Sequence, residues 1–185
     1  MTGVQTCALP IYFTGYAIYK KLSNPYFDRL VRNIRSKFKA TLITTKQTAE
    51  TILNGNKQGL LGVYGFASDQ LPRPADNNHW FAFMGIETPI HVGAEILAKK
   101  FDMNAVLLIG KRVKRGYYEA TFEVMSTDIH SIPDYQLSER FIKKIEELIR
   151  EAPEHYLWTH KRWKRKRKVE NTTIFENKKT TLQTQ

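Results

Sequence analysis

Six apolar residues, Leu137, Phe141, Ile142, Ile145, Leu148 and Ile149, recur at helical spacing along one segment of this chain. That spacing puts them on one face, so residues 137 to 150 read as an amphipathic helix that ends at Glu151-Ala152-Pro153. Such a stripe has to be buried against a second layer. Strand-length segments that can supply the layer stand at 12–20, 41–43, 59–67, 80–84, 104–113 and 117–125. Residues 59 to 67 are apolar almost throughout and read as a strand buried on both faces. The last two segments flank Lys114-Arg115-Gly116, a hairpin signal. Helical patterns lie between the strands. Residues 25 to 38 follow the cap and first-turn proline of Ser23-Asn24-Pro25, and carry Phe27, Leu30, Val31, Ile34 and Phe38 on one face. Residues 45 to 53 form a short helix stopped by Asn54-Gly55-Asn56, and residues 89 to 101 form another, opened by Pro89. Strands alternating with helices, then a hairpin, predict an α/β fold: a mixed β-sheet flanked by helices.

The charge of the chain is uneven. Its formal net charge is +11, and residues 161 to 168 read Lys-Arg-Trp-Lys-Arg-Lys-Arg-Lys. A run like that calls for a polyanionic partner: lipid headgroups, nucleic acid or an acidic protein. Cys7 is the single cysteine of the 185 residues, so no disulfide can form within one chain. No apolar run approaches the roughly 18 residues of a membrane span, and no secretory signal pattern is visible. Residues 1 to 11 resemble a translated sequencing-library adapter and are expected to be non-native. Residues 12 to 164 are expected to form the folded unit. Residues 165 to 185 are expected to be a basic, then polar, disordered tail.

Asp69-Gln70 follows the apolar segment 59–67. Ligands in α/β sheets usually sit beyond the carboxyl ends of strands, which makes this loop the first place to look for a site. A carboxylate there can position a polar substrate, or it can simply cap backbone amides. Arg35 can grip phosphate or carboxylate with two parallel hydrogen bonds, or stand solvated on a helix face. The five histidines are His79, His91, His130, His155 and His160. His91 and Glu95 can share a helix face, but two ligands make no metal site, and the pair reads as structural. No metal and no cofactor are expected.

The block Glu154-His155-Tyr156-Leu157-Trp158-Thr159-His160-Lys161-Arg162-Trp163-Lys164 resembles the C-terminal signature of bacterial lipid A biosynthesis acyltransferases. Further blocks follow the family's order. They are Tyr19, Leu22, Asn24, Asp28 and Arg35-Ser36; then Asp69-Gln70-Leu71-Pro72; then Phe83-Met84-Gly85-Ile86-Glu87-Thr88; and the hairpin at Gly116-Tyr117-Tyr118. Together they span about residues 12 to 168. The resemblance implies transfer of a fatty acyl chain from acyl carrier protein to a hydroxyl of a lipid A precursor, in lipopolysaccharide biosynthesis. The expected location is the cytoplasmic face of the inner membrane. It implies substrate binding by Arg35, Asp69 and Gln70. Trp158, Lys161, Arg162, Trp163 and Lys164 are expected to meet an anionic membrane surface, rings at headgroup level and cations on phosphates.

One departure is plain. The family's general base lies in a His-x-x-x-x-Asp/Glu element, and the residues five beyond the histidines here are Met84, Ile96, Tyr135, His160 and Arg165. None is acidic. The chain is therefore expected to be an N-terminally truncated, inactive fragment. The rival readings are a basic nucleic-acid-binding module and a non-catalytic membrane-associated scaffold. Against the first, the cations cluster at one end and no recognition motif accompanies them, so no nucleic-acid partner is expected.

Overall fold

A computed structural model describes residues 13–37, 39–74 and 78–167. The fold is α/β, with parallel and antiparallel strands and helices against them. The strands divide among three sheets instead of joining one.

The first sheet is parallel, in the order β2-β1-β3, where β1 is Thr14–Tyr19, β2 is Thr41–Thr44 and β3 is Gly62–Gly65. Helix α1, Pro25–Ser36, crosses from β1 to β2 and packs on β2. Its start is built as the sequence implies. Asn24 Oδ1 accepts from the amides of Tyr26 (2.9 Å) and Phe27 (3.2 Å), and buried Asp28 accepts from the Leu22 amide at 2.9 Å. The two Asn24 contacts satisfy amides that a helix start leaves open, and the Asp28 contact ties down the chain that enters it.

Helix α2 is Thr48–Lys57 and runs through Asn54-Gly55-Asn56, which were expected to stop it. The stop comes at Gly59 (φ +67°), where Leu60 N–H reaches Gly55 O at 3.0 Å and Gly59 N–H reaches Asn56 O at 3.1 Å. That is a Schellman ending, with glycine in the left-handed position. Gly55 lies inside the helix, facing the Tyr64 hydroxyl, which would stand 3.4 Å from a Cβ there.

The expectation of a doubly buried strand at 59–67 is corrected. β3 is four residues long and lies at an edge, with Leu61 59% and Val63 46% exposed. The Tyr64 ring of β3 stacks on Tyr16 of β1 at 4.7 Å.

The second sheet is the hairpin β4, His79–Phe83, and β5, Ile86–Ile90. Met84 and Gly85 form its two-residue turn, both at positive φ (53° and 80°), as a type I′ turn requires. Pro89 was expected to open a helix. It pairs with Trp80 in this hairpin instead, and helix α3, Gly93–Lys100, begins after it. His91 thus stands in the link before α3 and shares no helix face with Glu95. Glu95 Oε2 accepts instead from the amide (2.9 Å) and hydroxyl (2.7 Å) of Ser138, in the first turn of α4, Gln136–Glu151.

The third sheet is the hairpin β6, Ala105–Lys114, and β7, Tyr117–Ser126, which turns at Gly116 (φ +80°). Two buried clusters hold this half of the molecule. Phe83, Ile90, Ile142 and Ile149 join β4 and β5 to α4. Ala98, Ile129, Ile132 and Leu137 join α3 to the other end of α4. The apolar stripe of α4 lies where the periodicity places it.

Among the described residues no helix is long and apolar enough to cross a membrane. Residues 1–11, and the part of 165–185 beyond Arg167, lie outside the described residues.

Candidate functional site

Asp69 and Gln70 are exposed, in the loop that leaves the carboxyl end of β3. The loop meets the far end of the chain. Arg162 Nη1 donates to Asp69 O at 3.1 Å, and His160 Nε2 accepts from the Leu71 amide at 3.1 Å. Arg165 Nη2 donates to Pro72 O. Three side chains spaced over six positions thus take three backbone groups of one tetrapeptide.

The terminal segment is itself anchored. The Trp163 indole N–H donates to Phe83 O at 3.2 Å, and the two rings stack at 5.8 Å. Thr88, fully buried, donates its hydroxyl to Arg162 O at 3.2 Å. The Arg162 guanidinium lies 4.9 Å from the centroid of Phe83, over the ring, where the negative π face favours a cation. The block Phe83-x-Gly85-x-x-Thr88 therefore seats the terminal segment: Phe83 supplies platform and carbonyl, Gly85 the turn, Thr88 the inner hydrogen bond.

This changes the reading of the cationic end. Arg162 is 0% exposed and cannot meet a lipid headgroup in this fold, while Trp163 is half-buried with its indole N–H turned to Phe83 O. Trp158 (52% exposed), Lys161 and Lys164 do face solvent. The run alternates inward and outward, which composition alone does not show.

Further titratable groups converge on Asp69. The His91 imidazole is held below its ordinary value, chiefly by burial and then by the charges of Arg162 and Arg165; the Asp69 charge and the Leu71 backbone pull the other way. Burial pushes the Tyr156 hydroxyl up, with Arg162 opposing and Asp69 reinforcing. Burial also pulls Arg162 down from the guanidinium range, with Tyr156 and Asp69 opposing. Sequence reasoning missed His91 and Tyr156 as members of this cluster. For His91 the helical reading of Pro89 hid the position; for Tyr156 the aromatic block was legible but its partner was not.

Arg35 is placed elsewhere. It is exposed in the last turn of α1, close to where β2 begins, whereas the Asp69 loop leaves the opposite end and opposite edge of the same sheet. A substrate held by both would have to cross the sheet. Among the described residues no group of three His, Cys, Asp or Glu side chains could hold a metal ion.

The exposed Asp69 carboxylate and Gln70 amide can hold a polar headgroup by hydrogen bonds, those to the carboxylate being charge-assisted. They can hold a hydroxyl in place. Comparison with curated proteins gave no match. A sequence profile described as bacterial lipid A biosynthesis acyltransferase matches residues 6–165, which takes in the Asp69 loop, the β4–β5 hairpin and the terminal segment through Arg165. The chain belongs to the bacterial lipid A biosynthesis acyltransferase family.

Proposed function

We propose that this chain carries the acceptor-holding part of a lipid A acyltransferase. The reaction is transfer of a fatty acyl chain from acyl carrier protein to a hydroxyl of a lipid A precursor. One observation carries the reading: in a chain of this family, Asp69 and Gln70 lie exposed at a strand's carboxyl end, on a loop backed by Arg162, Arg165, His91 and His160. The carboxylate of Asp69 accepts from sugar hydroxyls, and the Gln70 amide can donate and accept there.

Proton abstraction from the acceptor is the step these residues do not cover. No histidine of the sequence has an acidic residue five positions on. Of the two histidines at the loop, His160 already uses Nε2 to accept from Leu71 N–H. We therefore expect binding without turnover from this chain alone. In a radiolabelled transfer assay with acyl carrier protein as donor, the expected result is no product above background. Turnover above background removes the claim of inactivity.

Docking at the cytoplasmic face of the inner membrane belongs to the same proposal. Trp158, Lys161, Lys164, Lys166 and Arg167 are exposed on the outer side of the terminal segment, a ring and four cations suited to anionic headgroups. Flotation with phosphatidylglycerol vesicles, compared with RNA gel shift at the same salt, should favour the vesicles. Tight RNA binding with no flotation would favour the nucleic-acid reading.

A further inference from the structure

Residues 69–72 lie in none of the strands or helices, and among the described residues no backbone–backbone hydrogen bond outside those elements involves them. A loop so free of its own ties takes its shape from whatever grips it. Here the grip is wholly side-chain, from a strap about ninety residues away in sequence: His160 on Leu71, Arg162 on Asp69, Arg165 on Pro72. The strap is braced on the other side by Thr88 and Phe83. Its central residue is also costly to keep. Arg162 is fully buried, yet among the described residues its Nε and Nη2, and the Nε of Arg165, have no hydrogen-bond partner. Buried donors without partners are unfavourable. A core chosen for stability alone would place an apolar side chain there.

We propose that His160, Arg162 and Arg165 are positioning residues for the Asp69–Gln70 loop. The carboxylate and amide are presented to the acceptor while the strap is seated, and the loop loosens when it is not. What the loop holds rests on the function proposed above; that the strap holds the loop does not.

The test is amide hydrogen exchange on the full chain, comparing wild type with His160→Leu, His160→Gln and Arg165→Gln. Leucine removes the acceptor for the Leu71 amide, whereas the glutamine Oε1 can reach the position of Nε2 and replace it. The expected result is roughly tenfold faster exchange at Leu71 in His160→Leu, the scale of one lost hydrogen bond, with most of it restored in His160→Gln. Arg165→Gln should free the 69–72 segment in the same way. Amides in residues 136–151 should be unchanged in all three. Unchanged exchange at 69–72 overturns the proposal, and so does acceleration there in step with 136–151, which would mark general destabilisation.

Binding of a diphosphorylated, acylated glucosamine disaccharide gives the second reading. His160→Leu should weaken it about tenfold and His160→Gln should restore it. A loosened loop with unchanged affinity overturns the positioning role. If wild type does not bind this probe, the acceptor reading fails, and the exchange result still decides the strap.

Discussion

Arg162 places a whole charge inside the fold to hold one carbonyl. The desolvation this costs is offset in part by the Phe83 ring beneath it and by the negative charge of Asp69 nearby. Replacing a buried ion by an apolar side chain of similar volume is often close to neutral for stability. Arg162→Met should therefore change unfolding free energy by no more than about 1 kcal/mol in urea titration. A loss above about 3 kcal/mol would show that the charge itself stabilises the core. His91 makes a pH-dependent contribution. Its folded value lies below the ordinary one, because burial and the cations of Arg162 and Arg165 oppose protonation more than Asp69 and the Leu71 backbone assist it. The unfolded chain takes that proton near pH ~6.5. Between that pH and the lower folded value the unfolded state binds more protons. Stability is thus fully present above the window and falls as the pH drops through it. Melts between pH 7.5 and 5 should show this loss, and His91→Gln should lose less over the same range.

Two glycines separate backbone effects from packing at the level of elements. Gly85, in the β4–β5 turn, has φ +80° and nothing within 4 Å of an added Cβ; Gly93, at the start of α3, is equally open but is not in the left-handed region. Gly85→Ala should cost about 1–2 kcal/mol from left-handed strain alone, whereas Gly93→Ala should stabilise by about 0.4–1 kcal/mol. Thermal melts of the two variants should move in opposite directions. Helix α4, the β6–β7 hairpin and the Asn24 cap of α1 were legible in the sequence because each rests on local signals: a periodic stripe, a glycine turn, a side-chain acceptor. The stretch from Ile86 to Val92 was not. Pro89 looks like a first-turn proline, and only the pairing with Trp80 reveals a strand. The inward turn of Arg162 was hidden for the same reason, since its partners Asp69, Phe83 and Thr88 stand 74 to 93 positions away. A cationic run shows its charge in sequence and conceals which side chains point in.

Across the whole molecule the buried clusters belong to β4, β5, α3, α4 and the segments beside them. The parallel sheet and α1 are covered less well: Tyr26, Phe27, Leu30 and Ile34 all stand exposed along α1. On the β6–β7 hairpin, Val106 faces Val124 and Leu108 faces Phe122 on one exposed side. Apolar surface of this extent drives association. The isolated chain should form concentration-dependent oligomers in light scattering, and Leu108→Lys with Phe122→Glu should reduce them. A sharp monomer peak at all concentrations would contradict this. The family assignment and the inward strap meet in one claim, that the loop at Asp69 with the imidazoles behind it is where the acceptor sits. Imidazole nitrogen NMR during titration with a lipid A precursor tests it most directly. Saturable shifts are expected at His91 and His160, with His130 and His155 unmoved, and loss of those shifts in Asp69→Ala. Saturable binding that leaves His91 and His160 unchanged would contradict it.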